Sequence, residues 1–415
     1  MDQVIDIEVD VQPAGSFGLW PGGAVSRVRA LGGDEVRLSG GAVQNLEGTF
    51  SGPIASRYSD AQVSVRFTDR FVMTDGVILG EPGVNGQDAA NVGLRLEYVD
   101  HAHIAGGRIE GGSGWSEWGQ SIPNFFGQEP ALRMVSGGNT VIDGGEFIGG
   151  SNTRTDFPQI GGLLADNAVV MDGGHLTING GTFTGGDIVA LQLADAESRR
   201  DYIGSAGLWV NYGVVDINGG TFRQGEFGDL YQPDDDYFYG AVTVEPGGEV
   251  NLRGGSIENL SARTEGGVNI YGTAFLLDGS TVEFGDENRV LLGAVGGSTL
   301  TVDFLGQGSE TIHLADIRSS AIKLFLVSGI EGDLDADGFV SQADLDLVLL
   351  NWGAEQTPEG WIEATQFDGL ISQNELDAVL LNWGGGSPPD LAAIPEPATA
   401  GFFLLGSAAL LRRSR

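Results

Sequence analysis

Cysteine is absent from this 415-residue chain, lysine occurs once, at Lys323, and 21 Lys and Arg face 57 Asp and Glu. With no thiol to oxidise, the composition suits an extracellular setting. A formal net charge of -36 repels phosphate backbones and anionic polymers and attracts divalent cations, so nucleic acid is not expected as a partner. A three-residue glycine period is also lacking, although glycine occurs 69 times and apolar residues make up 41% of the chain. Turn-rich β-structure fits that balance better than disorder or collagen.

What the chain does have is a repeat. Gly106-Gly107-Arg108-Ile109, Gly144-Gly145-Glu146-Phe147, Gly180-Gly181-Thr182-Phe183, Gly219-Gly220-Thr221-Phe222 and Gly254-Gly255-Ser256-Ile257 share one local context, with apolar anchors 38, 36, 39 and 35 residues apart. An alternating strand such as Leu176-Thr177-Ile178 or Val215-Asp216-Ile217 precedes each pair, and another such as Val169-Val170-Met171 or Leu208-Trp209-Val210 lies upstream. A unit of this length cannot bury its apolar face alone, so successive units must stack. Weaker copies at Gly48-Thr49-Phe50, Gly76-Val77-Ile78 and Gly279-Ser280-Thr281-Val282 extend the pattern to about eight rungs over residues 20–310. A propeller blade of similar period needs antiparallel hairpins, whereas strand, Gly-Gly corner, strand is the order of a coil turning one way. The expected fold is mainly β, a right-handed parallel β-helix over residues 1–329. Ala105, Asp143, Asn179, Asn218, Arg253 and, in a weaker copy, Asp278 precede the glycine pairs. Asn and Asp there tolerate left-handed backbone and predict a hydrogen-bonded ladder inside the coil.

The repeat region resembles pectate-lyase-like β-helices, and that likeness raises the prospect of a polysaccharide lyase or glycoside hydrolase. Such enzymes cluster Asp with Arg, Lys or His on one face. Here Asp143, Asp172 and Asp216 are scattered and in none of the paired-carboxylate patterns, so no catalytic residue is assigned. His101 and His103 alternate on one strand without a third ligand, which reads as solvated side chains rather than a metal site. Two insertions carry more signal. Residues 114–130 contain Trp115, Trp118, Phe125 and Phe126, and residues 231–239 interleave Tyr231, Tyr237, Phe238 and Tyr239 with Asp234, Asp235 and Asp236. Rings stack on apolar sugar faces while carboxylates accept from hydroxyls, which makes Trp115, Trp118, Tyr237 and Tyr239 candidate contacts to a polysaccharide. The competing reading is a lid folded back over the coil with its rings inward.

Beyond Gly329 the pattern changes. Asp333, Asp335, Asp337, Ser341 and Asp344 stand at positions 1, 3, 5, 9 and 12 of a calcium loop, with the Phe339 carbonyl at 7 and Gly338 at the sharp turn. The helix after it, Leu345-Asp346-Leu347-Val348-Leu349-Leu350-Asn351-Trp352-Gly353, recurs 31 residues later as Leu376-Asp377-Ala378-Val379-Leu380-Leu381-Asn382-Trp383-Gly384. Leu345, Val348, Leu349 and Trp352 share a helical face that predicts packing of the two copies into one core. The second loop is degenerate: Ala364 and Gln366 replace acids, leaving Asp368, the Leu370 carbonyl, Ser372 and Glu375, so one tight site and a weak or empty second are expected. Residues 331–386 hold twelve acidic and no basic residues, and removal of Ca2+ should cost the segment much of its order. This segment resembles a type I dockerin domain. That likeness implies two calcium loop-helix motifs whose helices bind a cohesin-like protein.

Residues 387–393 read as a linker, with Pro388 and Pro389. Then come Pro395, Glu396 and Pro397, an apolar run from Ala398 to Leu411, and Arg412, Arg413 and Arg415. Fourteen apolar residues fall short of the roughly 20 that span a bilayer, yet the basic end supplies a cytoplasmic retention signal. Residues 394–415 resemble the PEP-CTERM sorting signal, which implies a short hydrophobic helix, a transient inner-membrane anchor and cleavage by an exosortase-like membrane peptidase. An exported protein of this kind is expected to start with a secretion signal, but Met1 to Gly15 has neither a basic nor an apolar region. The expected start therefore lies upstream of Met1. Rod, calcium module, spacer and tail together predict a protein of the cell envelope, outer surface or extracellular matrix rather than a soluble catalyst.

Overall fold

In the computed structural model the described residues are 8–43, 61–80, 92–113, 129–151, 166–187, 205–226, 240–354 and 370–384, less short gaps in the first and seventh ranges, together with residues 356, 358 and 361. The chain divides into two compact units, Met1–Leu326 and Val327–Arg415.

The first unit is a parallel β-solenoid, as the repeats require. Its strands form three ladders. One runs through Arg27–Leu31, Ala61–Arg66, Val92–Glu97 and Leu132–Val135, then the first halves of Val169–Ile178 and Leu208–Ile217, then Val242–Val244 and Asn259–Ala262. A second runs through Arg70–Leu79, His101–Ile104, Asn139–Ile142, the second halves of Val169–Ile178 and Leu208–Ile217, Gly248–Leu252, Val268–Gly272 and Ile322–Leu326. The third holds the post-glycine strands Arg108–Glu110, Glu146–Ile148, Thr182–Thr184, Thr221–Arg223 and Ser256–Ile257. Within it Ile109, Phe147, Phe183, Phe222 and Ile257 lie in register and are buried. Phe147, Phe183 and Phe222 stack at centroid distances of 4.9 and 4.7 Å, which adds to the roughly 1.5–3 kcal/mol that burying such a side chain contributes.

Each residue of a glycine pair meets a different demand. A Cβ on Gly180 would sit 2.6 Å from the Asp143 carbonyl oxygen of the preceding rung, so the first position must be bare. Gly181 holds φ at 106°, a region that L side chains avoid. The left-handed step expected at the preceding Asn or Asp is therefore taken by the second glycine; only Asp278 of that series has positive φ, at 49°. Asp278 and Gly279 form the two-residue turn of an antiparallel hairpin, with Leu277 opposite Ser280. The copy at Gly279 is consequently a hairpin and not a coil corner, because Asp-Gly with positive φ at both residues reverses the chain. Gly76-Val77-Ile78 does join the coil, Ile78 lying opposite Ile109. Gly48-Thr49-Phe50 lies outside the described residues.

The turn from the first ladder to the second also takes a left-handed step. Gly32 and Gly173 supply it at φ 71° and 138°, but Phe67 and Tyr98 hold 52° each and Ser136 holds 41°. For a non-glycine residue this costs of order 1–3 kcal/mol.

In the second unit, α1 (Gln342–Leu350) and α2 (Gln373–Leu381) start at Ser341 and Ser372, whose hydroxyls cap the first turns. Asp344 and Glu375 complete a capping box in each. The duplication is reciprocal: Gly353 N–H donates to the Ile371 carbonyl at 2.8 Å, and Gly384 N–H to the Val340 carbonyl at 2.9 Å. Leu334, Val340, Val348, Trp361, Ile371 and Val379 form the core. The helical face expected to pack there is split. Val348 is buried, whereas Leu349 and Trp352 are half exposed, as are Leu380 and Trp383 in the second copy. Among the described residues no helix is long and apolar enough to cross a membrane. The linker and tail, with Pro395, Glu396, Pro397, Arg412, Arg413 and Arg415, lie outside the described residues.

Candidate calcium centre and the polar faces of the coil

Carboxylate oxygens of Asp333, Asp335 and Asp344 lie within 4.8 Å of one another. Asp333 and Asp344 are fully buried. Asp344 staples the loop to α1: one oxygen accepts from the Leu334 and Asp335 N–H groups at 2.6 and 3.2 Å, the other from Ser341 N–H at 2.7 Å. Carboxylate oxygens keep further lone pairs for a cation. Buried anions require a counter-charge, and residues 331–386 contain no basic side chain, so the donor set fits a hard divalent cation such as Ca2+. Phe339 is half buried at its expected place in the loop, and Ser341 spends its hydroxyl on the Ala343 N–H at 3.1 Å. The side chain of Asp337 lies outside the described residues.

In the second copy, Glu375 is fully buried and one oxygen accepts from Ser372 N–H at 2.7 Å. Its Oε1 is buried without a hydrogen-bond partner among the described residues, an acceptor at the position the sequence assigns to a ligand of the second loop. Ser372 caps α2 and Leu370 is exposed, while Asp368 lies outside the described residues.

On the coil, the scattered aspartates prove to be partnered between rungs. Asp143 bonds His103 at 2.7 Å and Asn179 at 2.8 Å, and Asn179 accepts from Asn218 at 2.9 Å. Asp172 pairs with Arg133 at 3.1 Å and Asn211 at 2.7 Å. Asp216 is the most heavily held, by His175 at 2.5 Å, Arg253 at 2.9 Å and Asn251 at 3.0 Å. Burial alone would raise its pKa, but the His175 hydrogen bond and the Arg253 charge outweigh it and set the value at about 2. The Asp143 ladder is exposed and runs along the outside of the coil, not inside as expected, because the inward positions of these strands are apolar. His103 is engaged with Asp143 through Nε2, so it is tied to the next rung rather than only solvated as expected.

The four segments 114–128, 152–165, 188–204 and 227–239 leave after the third ladder and return before the first, so their described ends share one corner of the coil. A ladder ties the exits together: Ser151 N–H donates to Ser113 Oγ at 3.1 Å, Asp187 N–H to Ser151 Oγ at 3.0 Å, and Glu226 N–H to Asp187 at 2.8 Å. Trp115, Trp118, Tyr237 and Tyr239 belong to the first and last segments and lie outside the described residues. At the returns stand two acids that motif reading missed. Burial and then the Asp166 charge push Glu129 to about 8, against the pull of Arg133 and Arg95. Burial pushes Asp166 to about 7, opposed by the Asn167 backbone hydrogen bond and by Arg133. The only sequence signal for them was their place, each beginning the residues that lead into a first-ladder strand.

No family model, curated protein or solved structure matches this chain.

Proposed function

We propose that the chain is an exported, envelope-sorted surface or matrix protein, a β-helix rod of about eight rungs carrying a dockerin-like, calcium-dependent docking module. The supporting observation is the trio Asp333, Asp335 and Asp344, gathered in a segment without basic residues. Beside it two duplicated helices turn Leu349, Leu350 and Trp352, and Leu380, Leu381 and Trp383, toward solvent. Calcium organises the loops, and a cohesin-like protein covers that apolar surface. Residues 387–393 space the folded units from a tail that an exosortase-like peptidase cleaves, after a transient membrane anchor through residues 394–415. Polysaccharide is the partner of the rod. The test is calcium titration calorimetry on the full chain with circular dichroism: binding with gain of helix, abolished in Asp344→Ala, is expected. Absence of binding heat would sink the docking reading.

Glu129 and Asp166 favour a second reading, a polysaccharide lyase or glycoside hydrolase on the coil. Glu129, at about 8, keeps its proton at neutral pH, as a general acid must, and Asp166, at about 7, is half protonated there. Release of new chain ends from pectin, alginate or uronan, lost in Glu129→Gln, is its mark; no turnover of any of the three removes it.

A further inference from the structure

We propose that the stacked rings of Phe67 and Tyr98 form a carbohydrate platform that takes the C–H faces of a neutral glycan. This narrows the polysaccharide half of the function above to a site on the coil, rests on that half alone, and uses neither the calcium module nor the long insertions. The two side chains leave the coil at the same turn of successive rungs. Their centroids are 5.1 Å apart with planes inclined by 5°, and 56% and 49% of their surfaces are exposed.

The backbone makes the choice of residue informative. Both residues hold φ at 52°, in a column that uses Gly32 before them and Ser136, at 41°, then Gly173 after them. The rings lie outside the hydrophobic core, and one ring pair recovers less than two left-handed aromatic residues cost. Elsewhere the column carries glycine or a short side chain. Among the described residues of the column, the outer ring faces have small neighbours: on the Phe67 side stands Gly32, without a side chain, and on the Tyr98 side stands Ser136, with a short one.

The surroundings select the ligand class. Asp69 and Arg70 follow Phe67, Asp100 and His101 follow Tyr98, and all four are exposed. Arg66 and Glu97, immediately before the rings, pair at 3.0 Å. Sugar hydroxyls both donate and accept, which a rim of mixed sign satisfies. An anionic glycan would meet Asp69 and Asp100 within an overall charge of -36. A flat, uncharged pyranose face with hydroxyl edges is what remains.

Affinity electrophoresis of the full chain tests this, in native gels containing hydroxyethyl cellulose, galactomannan or dextran, with polygalacturonate as the anionic control, each with and without EGTA. The expected result is retardation by at least one neutral polymer that EGTA leaves intact. Phe67→Gly and Tyr98→Gly should each weaken it by about three- to tenfold, and the double variant should remove it. Glycine suits the left-handed position, so the thermal midpoint of these variants stays level or rises, and lost retention is not lost folding. The proposal is overturned if no neutral polymer retards the chain, if only polygalacturonate does, or if the double variant is retained like the parent. Retention that vanishes with EGTA would assign sugar binding to the calcium module instead. Self-association in sedimentation that the double variant abolishes, without any glycan effect, would make the rings a protein contact and likewise overturn it.

Discussion

The two units handle negative charge in opposite ways. On the coil, Asp216 receives a histidine from the preceding rung and an arginine and an asparagine from the following one, and Asp143 and Asp172 each receive a cationic or imidazole partner and an amide. In the helical unit, Asp344 and Glu375 are buried more deeply still, but backbone N–H groups and a serine hydroxyl are what bind them. Parallel stacking explains the difference. A solenoid brings residues about 36 positions apart into register, roughly 4.8 Å from each other, so a counter-charge can always be placed on the next rung. Two nine-residue helices have no next rung. No basic side chain lies within residues 331–386 to answer the gathered carboxylates of Asp333, Asp335 and Asp344, and that donor set is one a divalent cation fits.

That contrast can be broken most severely at the centre of the coil. Phe183 lies between Phe147 and Phe222 with no exposed surface, so Phe183→Ala removes two ring contacts and leaves a cavity. The expected loss is about 3–5 kcal/mol of solenoid stability, read from denaturant unfolding followed by strand circular dichroism. Calcium binding by the helical unit should be unchanged. If Phe183→Ala weakens calcium binding as much as it weakens the coil, the two units do not fold independently and the contrast fails.

How much of this was legible before the structure differs by residue. The Phe column was visible because the interval between Gly-Gly-x-Phe copies stays within a few residues, and only stacking makes such an interval useful. The gathering of Asp333, Asp335 and Asp344 was visible because oxygen ligands at such fixed spacing have few other uses. The hairpin at Asp278-Gly279 was misread, since a glycine after an acid serves a coil corner and a reversed turn alike, and only its partner strand decides. Leu349 and Trp352 were assigned to a core because helical period marks a shared face without saying what covers it. Phe67 and Tyr98 were invisible: nothing in Arg-Phe-Thr-Asp or Glu-Tyr-Val-Asp announces left-handed backbone at an aromatic residue. Glu129 and Asp166 were hidden too, because their altered acidity comes from burial beside each other across 37 residues of chain.

The gentlest probe of the contrast is proton binding by the coil. Asp216 sits at about 2 when folded against an ordinary 3.8, so its contribution is present above pH 4 and is lost as pH falls toward 2. Glu129 and Asp166 run the other way. Their folded values of about 8 and 7 lie above the ordinary 4.5 and 3.8, so the folded coil holds protons that the unfolded chain has released. Their contribution is full below about pH 4 and drains away as pH rises to about 8. Solenoid stability should therefore peak near pH 4 to 5 and decline on both sides. Glu129→Gln, which is neutral at every pH, should flatten the upper limb while leaving the acid limb, set by Asp216, in place. Thermal midpoints from pH 2 to 9, read on the strand signal in the presence of EGTA so that calcium does not contribute, distinguish the two limbs. A midpoint that climbs between pH 5 and 8 would mean that Glu129 and Asp166 are ionised in the folded coil, and with that the second, enzymatic reading would lose its proton donor.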